Sequence, residues 1–258
     1  MKLCGCSLHK ANSKVTNVGK YVAKHEDELA AKIERVLTEH GKRIAKAAAK
    51  LYVNKMLKVE STDAIVAAIL ADLNVTGLSV SIVDELTPEL ISAFNAAGVV
   101  GIGQVGIGAT GDMVAHLDKA ALSWADDHGA ELAKGLTATT EAALRSVIGE
   151  AVISGSSAAE LSKMIQAMGG FGKARAMTIA RTELATAHVQ GNVQGWRETG
   201  MVEGKEWIMG DLHDTEDECD RNASLGAIDL DTEYENGVLF PPAHPNCVCD
   251  VLPVLKGE

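Results

Sequence analysis

Aromatic residues make up only 3% of this 258-residue chain, and it holds just five prolines and five cysteines. So few rings leave Ala, Leu, Ile and Val to fill the core, which favours helices over the strands of a sandwich. An odd number of cysteines, at 4, 6, 219, 247 and 249, argues against a disulfide framework and for thiols or thiolates. The opening MKLCGCSLHKANSK lacks the apolar run of a secretory signal, and its LCGC has nothing apolar before it to serve as a lipoprotein box. The expectation is synthesis in a cytosol, with no membrane as partner. G-x-S-x-G, H-E-x-x-H and the P-loop are also missing.

No charge occurs from Leu90 to Gly111. That length would span a bilayer, but six glycines with Asn95 and Gln104 argue instead for a flexible or closely packed connector. The same stretch contains G-x-G-x-x-G at Gly101, Gly103 and Gly106. A dinucleotide site needs a strand before those glycines and an acid ending a second strand; the upstream residues read as helix, and Asp126 and Asp127 sit in a helical pattern.

The charge that is present is uneven. Residues 1–58 hold 13 Lys and Arg against 5 acids, and the remaining 200 hold 11 against 30, within a net charge of -11. A basic N-terminal arm suits contact with DNA phosphates or an acidic protein surface, while an acidic body resists lying along DNA. The plain alternative is a solvated helix face that happens to be basic.

Apolar residues recur at helical spacing from Lys24 to Lys58 through Leu29, Ile33, Val36, Leu37, Ile44, Ala48, Leu51 and Met56, with an interruption expected at Gly41. Further helices are expected after Thr62, from Thr87 with Pro88 in its first turn, from Asp112 to Lys134, and from Thr139 to Ser154 ending at Gly155. Ser157 and Glu160 form a capping box for the next, and a longer helix spans Lys173 to Thr199 with Gly200 beyond it. The period then changes: KEWIM at 205–209 reads as a strand, an acidic turn follows it, and Val248 to Val254 reads as the last strand. The fold class is therefore α+β and mostly helical. A helical part over 1–111, carrying the basic arm and glycine-rich connector, precedes a part over 112–258 with helices packed on a small antiparallel sheet.

Cys219, His244, Cys247 and Cys249 supply the four Cys and His donors of a structural zinc site. In an extended segment Cys247 and Cys249 would face the same way, with Val248 on the other side. C-x-C is tighter than the usual zinc spacing, however, and a cofactor-free packed turn is the competing reading. The acids from Asp211 to Asp220 make no EF-hand, since Tyr234 and Phe240 stand where a loop from Asp229 needs Gly and Glu. A thiolate–imidazole pair of Cys247 and His244 is the one nucleophile arrangement on offer, and a three-residue turn holds attack geometry poorly. Arg181 and Glu183, in ARTE, lie about 200° apart on a helix, so each is expected to pair with a different element.

Taken in order, ARTELATAHVQGNVQGWRETG, KEWIMGDLHDTEDEC and PPAHPNCVCDV resemble the phage Mu F-like minor head, or head morphogenesis, family over about residues 125–258. The resemblance implies a structural, non-enzymatic virion protein in the head near the portal vertex, assisting head assembly and genome packaging or delivery. Its implied partners are the portal, other head proteins and packaged double-stranded DNA, with the host cytoplasm as the place of assembly. Members commonly show C-x-x-C in the acidic turn, where this chain has Glu216 and Cys219. The alternative is a phage-packaged hydrolase or transferase using Cys247 with His244, or Arg181 with Glu183.

Overall fold

The apolar spacing along the basic arm produces a single helix, α1 (Asn17–Met56), longer at its start than the periodicity indicates. Leu29, Ile33, Leu37, Ile44 and Ala48 are buried along one face, while Lys20, Lys24, Lys42, Arg43, Lys46 and Lys50 are exposed. Gly41 does not interrupt it. A Cβ there would stand 2.7 Å from Cγ of Phe171, so the glycine makes room for a ring inside a continuous helix. The computed structural model describes residues 17–56, 61–210 and 217–257.

Helix α2 (Thr62–Asp72) opens on Ser61, whose hydroxyl accepts from the Ala64 N–H. Helix α3 (Val75–Gln104) contains Pro88 in its interior rather than at its start, so the Asp84 carbonyl lacks its helical donor there. It absorbs most of the glycine-rich stretch, leaving only residues 105–110 as connector. Among the described residues it alone is long and apolar enough to cross a membrane, with 44% of its most apolar window buried in protein. Helix α4 (Gly111–Ser154) joins the two helices expected between Asp112 and Ser154. Thr137, Thr139 and Thr140 donate to the carbonyls four residues back at 2.8, 2.8 and 2.7 Å, which lets the TATT run stay helical. Gly155, at φ 66°, ends α4 with its N–H donating to Val152 and that of Ser156 donating to Ala151.

The capping box of Ser157 and Glu160 opens α5 (Ala158–Ala167) as its spacing predicts. After a 3-10 turn at Gly169–Phe171 comes α6 (Lys173–Thr199), closed by Gly200 at φ 64°. Strand β1 (Val202–Ile208), the short helix α7 (Glu218–Ser224), β2 (Ala227–Asp229) and β3 (Asp250–Leu255) follow. The sheet is antiparallel in the order β2-β1-β3, pairing Lys205 with Ile228 and with Pro253, and Pro253 is tolerated because β3 is an edge strand. The α+β class is thus observed. The acidic turn from Asp211 to Glu216 lies outside the described residues, as do Cys4 and Cys6.

These elements gather into two compact units, each drawn from several stretches of chain. One holds 30–87 and 126–177; there the Tyr52 hydroxyl reaches the Ala151 and Ser156 carbonyls, each at 3.0 Å, and Arg175 donates to the Gly170 carbonyl and the Thr140 hydroxyl, each at 2.9 Å. The other holds 17–29, 88–125 and 178–257, including the sheet and every cysteine among the described residues.

In this second unit α3 and α6 meet backbone to backbone. A Cβ at Gly191 would lie 2.0 Å from the Phe94 carbonyl oxygen, one at Gly195 2.2 Å from that of Gly98, and one at Gly101 2.4 Å from that of Asn192. Close helix packing thereby explains Gly101, with Gly191 and Gly195 supplying a small-x-x-x-small face, whereas Gly103, Gly106, Gly108 and Gly111 face open space. Trp196 closes the crossing by donating its indole N–H to Gln104 at 2.6 Å.

Candidate metal centre

Helix α6 carries the ARTE residues, and its side chains hold Glu26 of α1 and the bend at Asn246 in place. Arg181 donates to both carboxylate oxygens of Glu26, at 2.7 and 3.1 Å, so it does pair with another element. Thr182, one position on, accepts from the backbone N–H of Asn246 at 3.0 Å. Asn246 occupies the left-handed region at φ 65°, which asparagine tolerates better than most residues, and its side-chain amide donates to the Thr178 hydroxyl at 3.3 Å. The segment PPAHPNC, with a cis Pro241-Pro242 bond, is fastened by this bend onto α6.

Alternation along β1 turns Lys205 and Trp207 to the same side. Lys205 is fully buried; its ammonium donates to the Leu230 and Thr232 carbonyls, both at 2.7 Å, and stands 4.3 Å from the centre of the Phe240 ring. Burial lowers its pKa to about 8 against the pull of Asp231. The lysine thus ties the 230–240 loop to the sheet and holds Tyr234 edge-on to Trp207, with ring centres 4.9 Å apart. Against this aromatic wall pack Cys219, Cys247 and Cys249.

Asp217 caps α7 by accepting from the Cys219 N–H at 2.7 Å, which sets the first thiol in the opening turn of that helix. Cys247 and Cys249 lie just before β3 rather than in it. Gly210 admits this approach, since a Cβ there would meet the Val248 carbonyl oxygen at 2.4 Å. All three thiols are buried, at 0%, 3% and 2% exposure, and their sulfurs lie within 4.8 Å of one another, with 3.7 Å between Cys219 and Cys247. Hydrogen bonds from Cys219 and then Cys249 favour a thiolate on Cys247, and the bond to Cys247 pushes the Cys219 pKa up.

His244 sits on the Cys219 side of the cluster. Its Nε2 is 3.4 Å from the Cys219 sulfur and 3.2 Å from the Asp217 carboxylate, and its Nδ1 is 3.0 Å from the Pro245 carbonyl. Partial burial opposes the imidazolium, but the Pro245 carbonyl and the charges of Cys247, Asp217 and Glu218 outweigh it and raise the pKa. The structure therefore brings the four expected donors to one place as two overlapping sets, Cys219–Cys247–Cys249 and Asp217–Cys219–His244, joined at Cys219. Asp217 was not among the expected residues; its signal was the Asp217-x-x-Asp220 spacing of a capping box. Of the disfavoured Cys247–His244 nucleophile pair, the imidazole lies against Cys219 instead.

The architecture is a helical α+β scaffold, and the unit that holds its sheet also holds the buried thiol cluster. Residues 142–252, from the later part of α4 to the start of β3, match the family described as Phage Mu protein F like protein. No curated protein and no solved structure matches the chain.

Proposed function

We propose that this protein is a minor head protein of a bacteriophage, a structural virion component at the portal vertex that assists head assembly and genome packaging or delivery. The observation that carries this reading is the match over residues 142–252, which contains α6, Lys205, Trp207 and the thiol cluster in one continuous segment. The contacts made by the segment are those of a fastening: Arg181 is engaged by Glu26 of α1, Thr182 by Asn246, and Lys205 by two carbonyls. Its partners are the portal and neighbouring head proteins, met in the host cytoplasm during assembly. The exposed lysines of α1 provide the contact with portal acids or packaged DNA.

Charge reversal tests the contact without removing Val18 and Glu26, which a deletion of residues 1–58 would take away. A Lys42→Glu, Lys46→Glu, Lys50→Glu variant should fold with unchanged circular dichroism and be lost from assembled heads. Normal incorporation of that variant would sink the contact, and finding the wild-type chain away from the portal vertex in images of the particle would sink the placement.

A further inference from the structure

We infer that Cys219, Cys247, Cys249 and His244 hold one structural zinc ion that clasps the start of α7 to the segment leading into β3.

The distances are those of a tetrahedral thiolate site. Zinc–sulfur bonds of about 2.3 Å at tetrahedral angles put two sulfurs about 3.8 Å apart, and a sulfur about 3.6 Å from an imidazole nitrogen. Cys219 and Cys247 are 3.7 Å apart, and Cys219 is 3.4 Å from Nε2 of His244. Three soft sulfurs with one imidazole select zinc over magnesium or calcium, which take oxygen donors.

The surroundings also suit a metal. The Pro245 carbonyl, 3.0 Å from Nδ1, fixes the ring proton on that nitrogen and leaves Nε2 as the ligating atom. Trp207 and Tyr234 wall the sulfurs from solvent, giving the closed environment of a structural rather than a catalytic site. The fourth corner belongs to His244 and not to Asp217. One Asp217 oxygen is committed to the Cys219 N–H, whereas His244 joins the set by moving its ring from beside Cys219 toward the other two sulfurs. Binding requires the three sulfurs as thiolates and Nε2 unprotonated, so any protons they carry are released, and it breaks the contact of that nitrogen with Asp217.

The test is elemental analysis of the purified full chain, with cobalt substitution as a second readout. One zinc per chain is expected, and the cobalt form should show thiolate-to-metal charge-transfer absorption. Cys219→Ser, Cys247→Ser and Cys249→Ser should each lose the metal, as should His244→Ala. Asp217→Asn and the double variant Cys4→Ser, Cys6→Ser should keep it. Since the cysteine variants could fail to fold, the wild type also decides. A folded chain that stays metal-free after equilibration with excess zinc, or whose denatured form shows fewer than five free thiols through a Cys219–Cys247 disulfide, overturns the site. Retention of zinc by folded His244→Ala overturns the ligand assignment.

Discussion

The backbone N–H of Asn246 donates to the hydroxyl of Thr182 at 3.0 Å, across 64 residues of sequence. The same hydroxyl donates to the Thr178 carbonyl at 2.7 Å, so one side chain of α6 both satisfies its own helix and anchors the C-terminal bend. Thr182→Val should cost about 1 kcal/mol in urea unfolding, and Thr182→Ser much less. Hydrogen exchange supplies the sharper readout: amides of residues 244–249 should exchange faster in the valine variant alone.

Asp250 is buried, and its carboxylate accepts from the N–H groups of Val18 at 3.4 Å and Val251 at 2.8 Å. Burial raises its pKa from 3.8 to about 6 against these donors. The folded state therefore binds a proton that the unfolded state releases between those two values. Its stabilising effect is complete below pH 3.8 and is lost as pH rises through 6, a change of about 3 kcal/mol. Urea titrations of wild type and Asp250→Asn, taken as a difference to cancel other carboxylates, should show wild type losing ground from pH 4 to 7. A pH-independent difference would contradict the buried titration.

Two glycine substitutions should move stability in opposite directions. Gly191→Ala drives a methyl toward the Phe94 carbonyl and should cost about 3 kcal/mol or more. Gly103 lies in α3 with open space around its Cβ direction, so Gly103→Ala should stabilise by about 0.5–1 kcal/mol. Thermal unfolding of the pair checks both signs.

What could be read in advance followed from how local each signal is. The bounds of α6, the capping box at Ser157 and the stop at Gly155 are set by residues within one helical turn, and they stand as the spacing indicates. The breaks expected at Gly41 and near Gly135, and the start expected at Pro88, depend on what packs around those residues. At Gly41 a ring 130 positions away supplies the reason for the glycine. The candidate site behaves the same way. Residue types singled out Cys219, His244, Cys247 and Cys249, but only the fold shows Cys247 and Cys249 ahead of the strand, His244 beside Cys219, and Asp217 between a helix cap and an imidazole. Thr182 gave no warning of its part, because its partner is a backbone N–H in a proline-bounded turn.

The link from Asp250 to Val18 joins residues 232 positions apart. During synthesis α1 emerges well before the acid that receives its opening N–H. Until then the basic helix has no partner for that amide, and its first turn is open to fraying. The start of α1 is thus finished only once β3 has been made, so synthesis of Asp250 is a condition for locking the first turn of α1 onto the sheet.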